Sequence, residues 1–261
     1  MSVRANGMLA PAGRLLGMVL VATLALQLFF AARIALMRFV GPESTTFQRS
    51  EIARLLSEKH ALPWAQAWVG RDQLSTNLKR AVIASEDAGF VDHHGVEWDA
   101  IQKAWQRNEK AEARAEQIAE RSTKRAKPGA SAAKPRIVAK VVGGSTISQQ
   151  LAKNLFLSPE RTVLRKAQEF VLTMMLEGLL GKDRILTIYL NDVEWGEGVF
   201  GAQAAAQHYF RVDAARLNAF QAARLAVMLP APKRYEKQPA SGYIVGRAGT
   251  IVARMGDVDL P

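Results

Sequence analysis

The strongest constraint on this chain is one apolar run near its start. Leu15 to Ala32 are 18 consecutive uncharged residues between Arg14 and Arg33, with Thr23 and Gln27 the polar members. A helix of that length rises about 27 Å, close to the hydrocarbon thickness of a bilayer. Apolar character resumes after Arg33 through Ile34, Ala35, Leu36 and Met37, so a tilted span reaches residue 37. A cleaved signal peptide is the competing reading, but its apolar core usually runs about 7–15 residues and ends in a small-x-small site. Here Ala31 and Ala32 run straight into Arg33. The expected organisation is a cytoplasmic tail at 1–14, a transmembrane anchor at 15–37 and a folded domain at 42–255. Arg4 and Arg14 flank one end of the run and Arg33 and Arg38 the other. The short tail and its free amine favour an N-in orientation, with the domain outside the cytoplasm.

The rest of the chain is folded rather than disordered, since 49% of the 261 residues are apolar and 23% charged. A net charge of +11 points to anionic partners: nucleic acid, phosphates or an anionic membrane surface. The absence of cysteine excludes disulfide scaffolds, thiolate metal sites and a thiol nucleophile. Four histidines, two of them the adjacent His93 and His94, argue against a His-rich metal centre. Much of the charge is local. Arg107 to Lys140 carries ten Lys/Arg against four Glu and closes in a Lys/Pro/Gly/Ala-rich stretch. A basic, mobile insertion at about 107–142 is expected, either solvated or in contact with lipid head groups.

Helical signals dominate elsewhere. Asn77 to Ser85 has a weak helical period, and Ile147, Leu151 and Leu155 share a helical face behind a Thr146–Gln149 capping box. Gln149, Gln150 and Lys153 lie off that face. A longer helix is expected from about Thr162 to Leu180. Val163, Ala167, Phe170, Val171 and Met174 would be its buried stripe, with Arg165, Glu169, Thr173 and Glu177 opposite and Gly181-Lys182 as its C-terminal stop. Asp183–Asn191, Gln203–Tyr209 and Leu217–Met228 read as further helices, with a glycine-punctuated loop at 196–201. Runs of β-branched residues with period two are scarce. The expected fold is mainly α, with neither a parallel sheet nor a nucleotide-type glycine loop.

Two glutamates are candidates for chemistry. Glu86 ends an apolar helix beside Asp87, and Phe90 and Trp98 nearby would desolvate it, raising its pKa toward that of a general base. The plainer reading is an acid pair facing solvent. Glu169 alone reads as an exposed salt-bridge partner of Arg165, one turn away. Lys153 and Arg161, spaced eight residues apart with Glu169 another eight on, could cradle phosphate oxygens. Two carboxylates and a basic cradle outside a membrane suggest chemistry on a pyrophosphate-linked sugar.

These residues sit in recognisable motifs. Glu86-Asp87-Ala88-Gly89-Phe90-Val91-Asp92-His93-His94-Gly95 resembles the first motif of the peptidoglycan glycosyltransferases of family 51. Gly143 through Ser145-Thr146-Ile147-Ser148-Gln149-Gln150-Leu151-Ala152-Lys153-Asn154 resembles the second, Arg165-Lys166-Ala167-Gln168-Glu169 the third, Lys182 to Asn191 the fourth and Arg224-Leu225-Ala226 the fifth. The stretch Trp195 to Gly201 and the lack of a following transpeptidase domain resemble the monofunctional branch of that family. Ala88 and Gly89 depart from it, standing where charged residues, commonly an arginine before the phenylalanine, are usual. The 107–142 segment is longer and more basic than the family pattern.

The resemblance implies a two-lobed, lysozyme-like, all-α glycosyltransferase domain behind the anchor, with a hydrophobic region near the membrane. It implies that Glu86 is the general base on the 4-hydroxyl of the acceptor sugar of lipid II. That oxygen attacks the growing lipid-linked glycan with inversion, forming a β-1,4 link and releasing undecaprenyl pyrophosphate. Glu169 would help the pyrophosphate leave, directly or through a divalent cation (Mg²⁺ or Mn²⁺) that it binds. Lys153 and Arg161 would bind the pyrophosphate, and Ser145, Gln149, Gln150 and Asn154 would line or support the cleft. The implied setting is the bacterial inner membrane, with the domain periplasmic. The implied partners are lipid II, the growing glycan, the membrane and other cell-wall synthesis proteins, not nucleic acid. A membrane-anchored peptidoglycan lyase or hydrolase is the nearest enzymatic alternative, but it needs no phosphate cradle. A non-catalytic basic scaffold explains the charge and anchor but not the two glutamates.

Overall fold

The computed structural model describes residues 6–98, 144–158, 160 and 162–261, with Gln102, Gln106, Glu109, Lys110, Ala113 and Arg114. Most of the basic insertion at 107–142, and Arg161, lie outside these residues.

Helix α1 (Asn6–Leu36) contains the apolar run, and its Gly13–Leu36 portion is long and apolar enough to cross a membrane. Its last turns belong to the domain. Ile34 and Met37 are buried in the domain's core, and Phe30 meets Phe156 edge-on at 5.3 Å. Arg184 Nε donates to the Met37 carbonyl at 2.7 Å, satisfying an acceptor that the end of a helix leaves free.

Helix α2 (Thr46–Lys59) starts at a Thr45–Gln48 capping box and leads to the short strand β1 (Ala65–Gln66). Helix α3 (Thr76–Glu86) is capped by Ser75, so it begins just ahead of Asn77, whose side-chain amide instead donates to the Leu217 carbonyl. Helix α4 (Ile147–Phe156) opens on the expected Thr146–Gln149 capping box, followed by α5 (Val163–Leu179) and α6 (Lys182–Asp192). From Ile185 to Asp192 every residue of α6 is buried, making it the central helix of the domain. Beyond it come β2 (Glu194–Gly196), β3 (Val199–Phe200), α7 (Ala202–Phe210), α8 (Ala219–Met228), α9 (Pro232–Tyr235) and α10 (Gly242–Arg254).

The helices pack as two groups. In one, α3, α8 and α10 pack on one another, the small Ala222, Ala223 and Ala226 letting the backbones approach. In the other, α4 packs on α2, α5 and α6, and α5 lies against α1. The glycine-rich stretch expected as a loop forms a small sheet of order β1-β3-β2. One parallel pairing occurs, contrary to expectation, but it is two residues long: Ala65 with Val199 and Gln66 with Phe200. Gly198 (φ +73°) is required at that corner, because a Cβ there would sit 1.8 Å from the Pro63 carbonyl oxygen.

Two sequence expectations are corrected. The buried stripe of α5 is Glu169, Leu172, Thr173 and Leu176, not the apolar stripe beginning at Val163. Val163 and Leu164 are 89% and 81% exposed, and Ala167, Phe170 and Val171 also face outward. Burial normally follows apolarity because water is on the other side; here the outward apolar residues belong to a helix that packs beside the long apolar α1. Gly181 does not terminate α5. Leu180 is its C-cap, and Gly181, with φ −77°, is the N-cap of α6, with Lys182 as its first residue.

Candidate active site

Glu86 is the last residue of α3 and Asp87 its C-cap, so the chain leaves the helix with two carboxylates facing different ways. Asp87 is buried. Its Oδ2 accepts the backbone N–H of Ile147 at 2.9 Å, and its Oδ1 lies 2.8 Å from His93 Nε2. His93 Nδ1 in turn accepts the Gly95 N–H at 3.0 Å, so the ring's proton is on Nε2, which donates to Asp87. Gly95 (φ +83°) is held close against α5, where a Cβ would stand 2.7 Å from Thr173 Cγ2. Its carbonyl accepts from Thr146 Oγ1 at 2.6 Å.

Glu86 is half-buried, and its Oε2 accepts from Gln150 Nε2 at 3.0 Å. Gln150 is aimed from behind by the hydroxyl of buried Tyr189, which donates to its Oε1 at 2.9 Å, and Gln150 also reaches the Ser145 carbonyl at 3.4 Å. Burial pushes the Glu86 carboxyl above its ordinary range; the Gln150 hydrogen bond opposes this, Asp87 adds to it and the positive charge of Lys153 pulls it back. Burial likewise holds the Tyr189 phenol far above its usual value, with the charges of Glu86 and Asp87 reinforcing it. Tyr189 is therefore a hydrogen-bond donor and not a proton shuttle. A carboxylate with a raised pKa, one fixed donor and a nearby ammonium suits proton abstraction from a hydroxyl.

Glu169 is 3% exposed, not a solvated surface acid. Its Oε2 pairs with Arg165 Nη1 at 3.1 Å and its Oε1 with Lys166 Nζ. Arg165 Nε is buried and has no hydrogen-bond partner among the described residues. Ser148 donates to Glu177, which also pairs with Lys182 Nζ at 2.9 Å, and Lys182 lies 4.6 Å above the Phe90 ring. Residues from the first, second and fourth sequence motifs are thus joined by side-chain contacts, while the ion pairs of the third lie within it.

The structure brings Glu86, Gln150, Ser145 and the charge of Lys153 together. Gln149 is buried and occupied by the capping box, so it supports α4 rather than facing a cleft. Asn154 is half-buried on the same helix. Trp98 does not enclose Glu86 as expected; it is 68% exposed and packs on outward-facing Phe170 at 6.5 Å. Phe90 is the aromatic that is buried. Tyr189 and the Asp87–His93 pair received no role from sequence. Their place in the fourth and first motifs was the available signal, but a buried tyrosine on an apolar helix reads as core.

Among the described residues, the donor atoms of Asp87, His93 and Glu97 lie within 4.8 Å of one another, a set of cation-binding type. Asp87 and His93 are already committed to Ile147, Gly95 and each other. A second pair of perturbed carboxylates lies in the part of the core facing α2 and α9. Burial raises Asp192 and Glu194 to about 7 each. Gln48 Nε2 donates to Asp192 Oδ1 at 3.4 Å, and Lys233 spans Glu51 at 2.6 Å and Glu194 at 3.6 Å.

A family model described as Transglycosylase matches residues 54–120 and 125–256. The chain is 48% identical over 243 residues to the biosynthetic peptidoglycan transglycosylase of Paraburkholderia phytofirmans, covering 93% of this chain and 90% of that protein. The protein of the same name from Paraburkholderia xenovorans gives the same figures. That from Burkholderia thailandensis is 48% identical over 240 residues, covering 92% of this chain and 84% of its own.

Proposed function

The chain belongs to the transglycosylase family, and from that premise we propose that it polymerises lipid II into β-1,4-linked glycan strands of peptidoglycan, releasing undecaprenyl pyrophosphate. The observation that carries this is Glu86: half-buried, raised in pKa, hydrogen-bonded by a Gln150 that Tyr189 orients, and within the field of Lys153.

In this reading Glu86 takes the proton of the acceptor's 4-hydroxyl as that oxygen attacks the anomeric carbon of the lipid-linked donor. The raised pKa makes the carboxylate a stronger base than an ordinary exposed glutamate. Cationic side chains stabilise the negative charge on the departing pyrophosphate: Lys153 and Arg161, joined by Arg165, whose Nε has no hydrogen-bond partner among the described residues. Glu169 holds Arg165 and Lys166 as an ordered pair of donors. The divalent cation, Mg²⁺ or Mn²⁺, expected at Glu169 does not fit this group, because both carboxylate oxygens already carry a cationic partner. No step is routed through a metal.

The hydrolase reading is disfavoured by Lys153, since hydrolysis of a glycan strand has no diphosphate to bind. The setting proposed is the bacterial inner membrane, crossed once, with the catalytic domain periplasmic. The outward apolar residues of α5 alongside α1 support placing the cleft at the membrane surface, where its lipid-linked substrates reside. Labelled lipid II incubated with the detergent-solubilised protein should become lysozyme-sensitive polymer. Persistence of monomer, or appearance of cleaved glycan only, would refute the reading.

A further inference from the structure

Gln27 is a polar residue in the middle of the membrane-crossing run, and the reaction gives it no role. The other polar residue, Thr23, is satisfied within its own helix, its Oγ1 donating to the Val19 carbonyl at 2.8 Å. A primary amide has more to satisfy than a hydroxyl, and hydrocarbon offers no substitute for water. Gln27 is satisfied by one residue reciprocally: its Nε2 donates to Gln168 Oε1 at 2.9 Å, and Gln168 Nε2 donates back to Gln27 Oε1 at 3.2 Å.

Gln168 immediately precedes Glu169. We propose that Gln27 is a positioning residue for Glu169, fixing from within the membrane anchor the rotation and height of the helix that carries the leaving-group machinery. The inference rests on the role given above to Glu169 and its two cations.

Three observations support it. First, the ion pairs of Glu169 with Arg165 and Lys166 lie within α5, so they order the cluster but cannot set where the helix stands. Second, Leu172, Thr173 and Leu176 seat α5 against α4 and the core, but on the side facing α1 the apolar side chains offer only non-directional contact. The amide pair is directional and has one geometry. Third, adjacent helical residues are related by a fixed turn of about 100° and a rise of about 1.5 Å. Clamping Gln168 to α1 therefore fixes Glu169 on the neighbouring, inward face, where it is buried.

The test uses the full-length protein in lipid II polymerisation, below its unfolding temperature. Gln27→Leu should lower kcat about tenfold or more with KM little changed, the signature of a misplaced catalytic group rather than lost substrate binding. Gln168→Leu should do the same, and the double Leu variant should be no worse than either single, because both remove one pair. Gln27→Glu supplies the discriminating readout. Its protonated carboxyl offers one donor and one acceptor in the arrangement of the amide, so turnover relative to wild type at the same pH should approach one at acid pH and fall as the introduced group ionises. Amide hydrogen exchange across Val163–Leu179 should rise in Gln27→Leu. Wild-type kcat in Gln27→Leu, or additive losses in the double variant, would overturn the proposal. If the wild-type protein makes no polymer, the catalytic reading fails by itself, and the exchange measurement still decides the coupling: unchanged protection in Gln27→Leu rejects it.

Discussion

Asp87 Oδ2 accepts the backbone N–H of Ile147 at 2.9 Å, joining two points 60 residues apart in the chain. Ile147 is the first residue of α4, so its N–H is one of those a helix cannot satisfy internally, and the positive end of the helix favours the carboxylate there. Through this bond the residue next to Glu86 is tied to the helix that supplies Gln150 and Lys153. The geometry of the candidate base is thus set by its neighbour.

Glu86→Gln should abolish polymerisation while leaving the fold intact. The amide is nearly isosteric but cannot take a proton, and loss of a general base costs about 10²–10⁴-fold. Turnover of labelled lipid II, with circular dichroism as the folding control, checks this. A folded variant making normal polymer would remove Glu86 from the mechanism.

Lys153→Ala should lower turnover by removing charge beside the leaving group, and it should also shift the pH profile. Lys153 lowers the pKa of Glu86, so its loss raises that pKa further. The rise of kcat/KM with pH should then occur at higher pH than in wild type. A profile that stays put or moves to lower pH contradicts the proximity of these two charges.

Tyr189→Phe should weaken catalysis with little change in packing. The ring stays buried, but Gln150 loses the donor that aims it at Glu86. One hydrogen bond is worth about 1 kcal/mol, so a loss of roughly fivefold or more in kcat is expected. Equal activity in the two proteins would show that Gln150 orients without its help.

Stability should depend on pH through Asp192 and Glu194. Both are raised to about 7 in the folded protein, well above ordinary carboxylate values. The folded state then holds protons that the unfolded state releases. The stability from these groups is fully present below about pH 4 and is lost as pH rises through about 7. Thermal unfolding should accordingly occur at a lower temperature at pH 8 than at pH 5.5, and Asp192→Asn should flatten the difference. A midpoint that climbs with pH over this window would show that these carboxylates are not buried as protonated acids.

How much of this was legible beforehand varied with the kind of signal. The Thr146–Gln149 capping box was readable because its two partners are three residues apart and its chemistry is local. The long apolar helix was readable from its length. The facing of α5 was not. Periodicity separates the Val163 stripe from the Glu169 stripe, but which of them turns inward depends on whether water or lipid lies outside. Gly181 was misassigned for a related reason: a glycine between two helices serves either one, and only its φ decides. The partners of Asp87 and the burial of Tyr189 depend on contacts between segments distant in sequence, which no local pattern encodes.

Ile34 and Met37 have a consequence for how the enzyme comes into being. These two side chains, at the end of the apolar helix and just beyond it, are walls of the catalytic domain's own interior, so a chain starting at Pro42 would have an open apolar socket where they belong. Closing the domain therefore requires the helix to be present in its final place. Placement of the apolar helix and completion of the fold are thereby coupled: whatever holds that helix in position also decides whether the domain's interior is closed.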